Sequence, residues 1–487
     1  MKGEKMVSRI SCKVWGSSLA ILLFLSGANV FAQATASSTI QGTVTDPSQA
    51  VVAGADVVAT NKATGTTREM STDQSGNYRF DLLSAGNYTV KISKPGFASV
   101  VQNVDLLVGQ TATASVVLNP GSTTEIVEVT ETAPLVDITK TSVSQDITPK
   151  EVEELPMLGR DVANLAYLAP GVKAADSYDP TKNRYAILSV NGAGGRNVNV
   201  TVNGVDNKDN TVGGPVMQLP LEAVQEFQIS TQRFSAENGR SEGAAINMIT
   251  KSGTNDYHGS VFGFFRDAAL DTDEKVPDGT GGHSFAHPDY SRQQFGGSIG
   301  GPFKRDKLFG FFAIEREREN QGLVETGTSY SELVLAKQAG LAAQPAAVIP
   351  RPFYETRYNG RLDWTINSKN TAYVSYNSQA NDSLNDQSDG TGDLTNGNFT
   401  RNHLQLANFT LNSVLSNTTV NQFTAGYQYW NNVIGSNISA PLVVFPSASF
   451  GTNTNVPQQS FQRKWQFRDD ISKTIGRHTL KAGADYI

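Results

Sequence analysis

Cysteine is nearly absent: the single one, Cys12, lies among the first residues of a 487-residue chain. Disulfide frameworks, cysteine zinc sites and thiol catalysis are thereby excluded from everything beyond it. Long apolar runs are missing too, since no stretch reaches the roughly 18 residues of a transmembrane helix. Charge is sparse at 18% and leans acidic, with Lys+Arg 40, Asp+Glu 46 and a net charge of −6. No nucleic-acid partner is expected, because phosphate neutralisation needs a surplus of Lys and Arg on some face. A zinc-binding His-x-x-Glu pair does not occur: none of His258, His283, His287, His403 and His478 has Glu three residues on.

What the chain does hold is glycine and aromatic residues. Its 44 Gly and 23 Phe, amid frequent Asn, Thr and Ser, mark a turn-rich, mainly β protein. The length suggests about three domains. Lys2, Lys5, Arg9 and Lys13 surround or precede a start that leads into the apolar stretch Leu19–Leu25, and Val30-Phe31-Ala32 offers small residues for cleavage between Ala32 and Gln33. Residues 1–32 therefore read as a signal peptide. Cys12 precedes the apolar stretch, which argues against a lipoprotein anchor. Removing the segment, Glu4 included, leaves a charge of −9. An exported chain without a helical anchor is periplasmic, secreted or an outer-membrane β-barrel.

Residues 39–119 alternate β-prone runs with turn signals at the spacing of a small sandwich. The runs are Ile40–Thr45, Ala55–Asn61, Thr66–Thr72, Tyr78–Leu82, Tyr88–Ser93, Ser99–Leu107 and Thr111–Leu118. Asp46-Pro47, Thr64-Gly65, Asp73–Gly76, Ala85-Gly86 and Pro95-Gly96 supply the reversals. Thr72–Phe80, with Gly86–Val90 and Lys94–Phe97, resembles the carboxypeptidase regulatory-like domain. That resemblance implies a seven-strand β-sandwich, with a spacer and a ligand-binding module both open as its role.

Beyond Pro120-Gly121 and outside the sandwich comes the β-prone run Thr124–Thr130. An exposed segment of this kind adds to a partner's sheet edge, or serves as a linker strand. Residues 121–253 then mix short helices, Glu151–Leu155 and Asp161–Leu168, with strands at Ile187–Asn191, Val198–Asn203, Phe227–Thr231 and Ala245–Thr250. Pro156 separates the helices and Pro170-Gly171 stops the second.

In order along this stretch come Leu155–Arg160, Pro170–Val172, Gly195–Asn197, Val202–Asp206, Glu222–Phe227, Ala236–Arg240, Thr250–Asn255 and His258–Ser260. The series resembles the plug and first barrel strand of Oar-like TonB-dependent outer-membrane proteins, which carry a carboxypeptidase regulatory-like domain ahead of the plug. The resemblance implies an α+β plug over 121–253 with Arg160, Arg196, Asn203, Gly204, Asp206, Glu226 and Arg240 as motif residues, its arginines holding it to a polar barrel wall. It also makes Glu125, Ile126, Val127, Glu128, Val129 and Thr130 the TonB-box candidate, the segment offered to an energising periplasmic partner. Asn203 stands where the family often has Asp, and Glu128 interrupts the usual apolar pair of the box.

Residues 257–487 show dyad alternation over segments of about ten residues, the signature of an outer-membrane barrel. Tyr358, Gly360, Leu362 and Trp364 share one face, with Asn359, Arg361 and Asp363 on the other. Phe423, Ala425, Tyr427 and Tyr429 oppose Gln422, Thr424, Gly426 and Gln428. Short connections at 301–306, 367–370, 416–417 and 474–477 alternate with long polar ones at 267–290, 320–351, 380–398 and 431–459. Phe262, Phe264, Trp364, Tyr429, Trp430 and Trp465 are placed for interfacial girdles against outer-membrane lipid. About nine strands are legible where transporters of this type close with about 22, so the chain is expected to be the N-terminal part of a longer protein.

Chemistry finds little footing. Gly296–Gly300 matches G-x-S-x-G, but it runs between two strands, and a nucleophile elbow needs strand, turn and helix. His283 and His287 lie four apart near Asp289, yet Gly281-Gly282 and Pro288 forbid the helix that would aim both at a metal. The Asn/Asp-rich stretch 381–393 lacks the final Glu of a calcium loop and reads as solvated surface. No catalytic set, metal or cofactor is expected. The function expected is passage of a substrate across the outer membrane, driven by a TonB-type energy-transducing protein; the substrate's identity stays open, with carbohydrate and peptide as two candidate classes. The alternative is a carbohydrate-binding or adhesive surface protein anchored by the barrel.

Overall fold

The computed structural model describes residues 37–123, 126–129, 142–155, 157–174, 188–194, 198–210, 213–278, 280–286, 288–476 and 478–487. The expected cleavage site Ala32/Gln33 and residues Glu125, Thr130 and Arg196 lie outside them.

The first assembly is a sandwich. Its strands are β1 (Ser38–Thr45), β2 (Asp56–Asn61), β3 (Thr67–Ser71), β4 (Asn77–Leu83), β5 (Gly86–Ser93), β6 (Ser99–Leu106), β7 (Thr111–Thr113), β8 (Val116–Val117) and β9 (Ile126–Val129). One sheet runs β4-β1-β7, with β8 also on β1, and the other runs β3-β2-β5-β6-β9. Ile40, Phe80, Val90 and Ile92 are buried between them. The expected run 111–118 is two strands, because Ala114 turns its carbonyl to the Tyr78 hydroxyl between them. Gly42 allows this approach: a Cβ there would meet the Ala114 oxygen at 2.3 Å. One expectation is overturned. The 126–129 segment is not outside the sandwich but adds to it in parallel, with Ser99 opposite Ile126 and Gln102 opposite Val129.

The central assembly holds β10 (Val143–Ile147), α1 (Pro149–Glu154), β11 (Val172–Ala174), β12 (Leu188–Val190), β13 (Val198–Val202), β14 (Val205–Asp206), β15 (Val224–Gln232) and β16 (Ala244–Thr250). Its main sheet is ordered β10-β15-β16-β13-β14. Helix α1 begins earlier than expected because Thr148 and Glu151 form a capping box and Pro149 occupies the first turn. The second expected helix, 161–168, is instead a 3-10 stretch, Val162–Leu168, preceded by a 3-10 turn, Leu158–Arg160, with Gly159 at a φ of 83° inside that turn.

The third assembly comprises β17 (His258–Asp267), β18 (Glu274–Pro277), β19 (His283–Ala286), β20 (Tyr290–Lys304), β21 (Leu308–Val324), α2 (Gly327–Gln338), β22 (Val348–Asn367), β23 (Asn370–Leu384), β24 (Asn398–Ser416), β25 (Thr419–Ser436), β26 (Val443–Val444), β27 (Ser449–Phe450), β28 (Gln458–Ile475) and β29 (His478–Tyr486). Nine of them form one antiparallel sheet, β17-β20-β21-β22-β23-β24-β25-β28-β29, which is not closed into a ring. Gln422, Thr424 and Gln428 are buried on its inward face, whereas Leu362, Trp364, Tyr376 and Trp465 are roughly half exposed on the other. The wall also completes the central core: Leu404, Leu406 and Trp430 join Val200, Phe227 and Ile246.

Three girdle assignments fail on parity. Trp430 points inward, 1% exposed, and donates its Nε1 to Asn402 at 3.2 Å. Phe262 also faces the central assembly, with the Arg160 guanidinium 4.1 Å from its ring, and Phe264 shares that face at 5.1 Å. The long connections are built structures rather than solvated loops. Leu333 and Ala336 of α2 pack with Ala343, Ala448 and Phe450 as a small core of their own. Asp393, expected at the solvated surface, is buried and caps the turn Leu394–Asn396. The strands leading there are long, up to 20 residues in β22.

Candidate functional site

The seam between the central assembly and the wall is where charges converge. Gly159 and Arg160, at φ of 83° and 54°, bend the chain so that Arg160 enters the seam. Its guanidinium lies 3.1 Å from Glu222 and 3.8 Å from Glu315 of β21. Asp161 accepts from Arg357 of β22 at 3.1 Å, and Arg357 also meets Glu315 at 3.5 Å and pairs with Glu355. Arg292 of β20 bridges Glu317 at 2.9 Å and the Gly159 carbonyl at 3.2 Å. Glu315 is the hub, 1% exposed on its side chain, and it also accepts from Gln294 at 2.6 Å and the Leu221 amide at 3.3 Å. Burial pushes the Asp161 carboxyl up to about 6, against the pull of Arg357.

A second anchor is the turn after β13. Asn203 and Gly204 adopt φ of 50° and 80°. Asn203 uses both ends of its amide: Nδ2 donates to the Thr250 hydroxyl at 2.9 Å, and Oδ1 accepts from the Thr250 amide at 3.0 Å. An aspartate could not donate the first bond and would have to accept from the Thr250 hydroxyl instead. Asp206 is 2% exposed and pairs with Arg240 on its own assembly and with Lys464 of β28 at 2.8 Å. Its amide donates to Gln466 at 2.8 Å.

Glu226 serves a different junction. Its carboxylate accepts the Val108 amide at 3.0 and 2.9 Å, and Gln228 donates to the Val108 carbonyl at 3.0 Å. The connection after β6 is thus bound to β15. At the opposite corner Asn255 donates its amide to the Ala63 carbonyl at 2.8 Å, and its side chain donates to Asp306 at 2.7 Å.

Of the residues named from sequence, Arg160, Asn203, Gly204, Asp206, Glu226 and Arg240 all lie at these junctions, while Val127 lies apart on the sandwich edge, 44% exposed. Sequence reasoning did not find Glu315, Glu355, Arg357, Arg292 or Lys464. A signal was available for the first: Glu315, Glu317 and Glu319 alternate on β21 and so share its inward face. Ser298 of the G-x-S-x-G stretch sits in mid-strand on β20, 3.0 Å from the Ser260 hydroxyl. His283 is exposed on the β18–β19 hairpin, and His287 lies outside the described residues.

Comparison with known proteins agrees with this layout. A carboxypeptidase regulatory-like domain is matched over residues 39–119, and an outer membrane beta barrel domain over 249–348 and 334–487. The chain is 31% identical over 301 residues to the TonB-dependent transporter Oar of Myxococcus xanthus, a match covering 59% of this chain and 27% of that protein. In fold it is similar to the outer membrane transporter YddB from Escherichia coli, with a TM-score of 0.51 at 11% identity over 70% of this chain and 47% of that one. The siderophore receptor PirA from Acinetobacter baumannii gives a TM-score of 0.46 at 16% identity, over 72% of this chain and 48% of that one. The chain thus spans about a quarter of the curated relative and about half of the solved ones.

Proposed function

We propose, on the premise that this chain belongs to the Oar-like TonB-dependent outer-membrane receptors, that the whole protein carries a substrate across the outer membrane under force from a TonB-type partner. Residues 121–253 act as the plug and 126–129 as the handle. A carbohydrate or peptide binds above the plug, among the outer connections. Force on the handle then loosens the plug and opens a path along the wall. The chain itself performs no covalent chemistry, and energy enters through the partner.

The observation that supports this reading is the make-up of the seam. Arg160, Arg357, Arg292 and Lys464 hold the plug to the wall through ion pairs and polar bonds. Such contacts can be exchanged for water one at a time, whereas the apolar patch that Leu404, Leu406 and Trp430 add to the central core must be broken together. A plug that has to move and reseat needs the first kind.

The test is binding of the partner's periplasmic domain to the full-length protein in detergent. The wild type is expected to bind, and Val127→Pro to lose binding by removing a backbone donor from the added strand. Absence of binding by the wild type would refute TonB coupling. Undiminished binding by the proline variant, at normal protein levels, would place the handle elsewhere.

A further inference from the structure

We propose that the β6 edge of the sandwich is a parking site for β9, which the energising partner must displace, so that sandwich and partner compete for one stretch of backbone. The inference rests on reading 126–129 as the handle. What carries it is the register: Ser99, Val100, Val101 and Gln102 of β6 face Ile126, Val127, Glu128 and Val129 in parallel. Parallel pairing is the weaker kind per residue, and β9 is the outermost strand of its sheet.

The attachment is asymmetric. Ahead of β9 the chain is clamped: the Ala98 amide donates to Asn119 at 2.9 Å, the Gly121 amide to Gly96 at 3.1 Å, and the Ser99 hydroxyl to Thr123 at 2.9 Å. The clamp keeps the handle beside its site after release. The site itself is fixed in place, because the sandwich is bound to the plug through Val108 and Glu226 and to the wall through Ala63 and Asn255.

Mechanics makes displacement necessary. While β9 is paired, a load applied to it is borne by β6 and the clamp. Once β9 leaves, the same load passes along the chain to β10 and the plug sheet, where β10 pairs with β15. The sandwich therefore acts as a catch that holds the handle until the partner's own sheet edge takes it.

Val101→Cys with Glu128→Cys tests this in the full-length protein. The two positions face each other in the register, Cys12 is the only cysteine of these 487 residues, and any cysteine the full-length protein carries beyond them is replaced by serine in both the test and the control samples. Oxidation with copper phenanthroline should link them, and the linked protein should bind the partner's periplasmic domain at least about tenfold more weakly, with dithiothreitol restoring binding to that of the never-oxidised sample. Failure of the pair to cross-link would overturn the proposal, since β9 would not be resting on β6. Unchanged binding by the linked protein, with Val127→Pro still abolishing it, would also overturn the proposal while leaving the handle intact: the partner would then be adding to the outer edge of β9. Unchanged binding by Val127→Pro would remove the handle reading, and the parking site with it.

Discussion

Arg357 is the residue whose loss should unseat the central assembly, the proposed plug, most directly. Its side chain is 5% exposed and serves Asp161, Glu315 and Glu355 together. Arg357→Met keeps most of the stem's volume but leaves three carboxylates facing one another in a buried seam. Removing one partner of a buried pair costs about 3–5 kcal/mol. Proton uptake by Asp161 offsets part of this below its raised value of about 6. The sign follows from linkage: a carboxyl raised in the folded state from 3.8 to about 6 lowers stability as pH climbs through that interval. Without Arg357 the carboxyl rises further, and the interval extends upward. At pH 7.5 a net loss of about 3 kcal/mol corresponds to about a 100-fold larger unseated population. Amide hydrogen exchange in the full-length protein reads this directly. Amides of β13, β15 and β16 should exchange about 100-fold faster at pH 7.5, and the acceleration, corrected for intrinsic rates, should shrink at pH 5. Adding Asp161→Asn should recover part of the protection at pH 7.5. Acceleration confined to residues 158–162, or equal at both pH values, would refute the reasoning.

Glu325, 2% exposed with neither carboxylate oxygen bonded, is pushed up to about 8 by burial and by the neighbouring Asp393. Its folded value exceeds the ordinary 4.5, so the outer connections should lose stability as pH rises from about 4.5 to about 8. Limited proteolysis of α2 and its neighbours should accelerate between pH 6 and pH 9, and Glu325→Gln should flatten that response; an equally steep response in the variant would count against it. Residues 37–123 should melt cooperatively in isolation, because their core is their own. Gly42→Ala should destabilise that piece by about 3 kcal/mol in urea titration, the new Cβ meeting backbone rather than a movable side chain. A loss below about 1 kcal/mol would show that Ala114 can yield.

How far the sequence could be read depends on whether a feature leaves a local trace. The alternation of Gln422, Thr424 and Gln428 with Phe423 and Tyr427 is such a trace, and the wall has those faces. Trp430 breaks the pattern because the wall is lined by the central assembly, whose apolar core recruits one aromatic residue inward. Phe262 was misassigned for a related reason: a cation over its ring gives an aromatic side chain a place on a polar face. The wall partners of Arg160 and Asp206, Glu315 and Lys464, lie 155 and 258 residues further along the chain, which no spacing rule connects. Strand β9 was legible as a strand but not as part of the sandwich, since parallel pairing with β6 has no turn to announce it. The capping box at Thr148 and Glu151 was readable and would have set the start of α1 correctly.

The length of the wall strands sets how the molecule meets its surroundings. A strand of 20 residues such as β22, at about 3.3 Å each and a tilt of about 40°, climbs about 50 Å, against an apolar band of about 25 Å. The turn closing β22 and β23 is only two residues, so the surplus lies on the opposite side. The folded connections therefore stand on a rigid collar, raised well clear of the apolar band. An antibody or a phage tail approaching the cell reaches α2 and the β26–β27 hairpin before it reaches lipid. The exposed tip Gly340–Leu341, beside a core that holds itself together, is accordingly the place where a grafted epitope would be displayed without disturbing the bilayer-embedded staves.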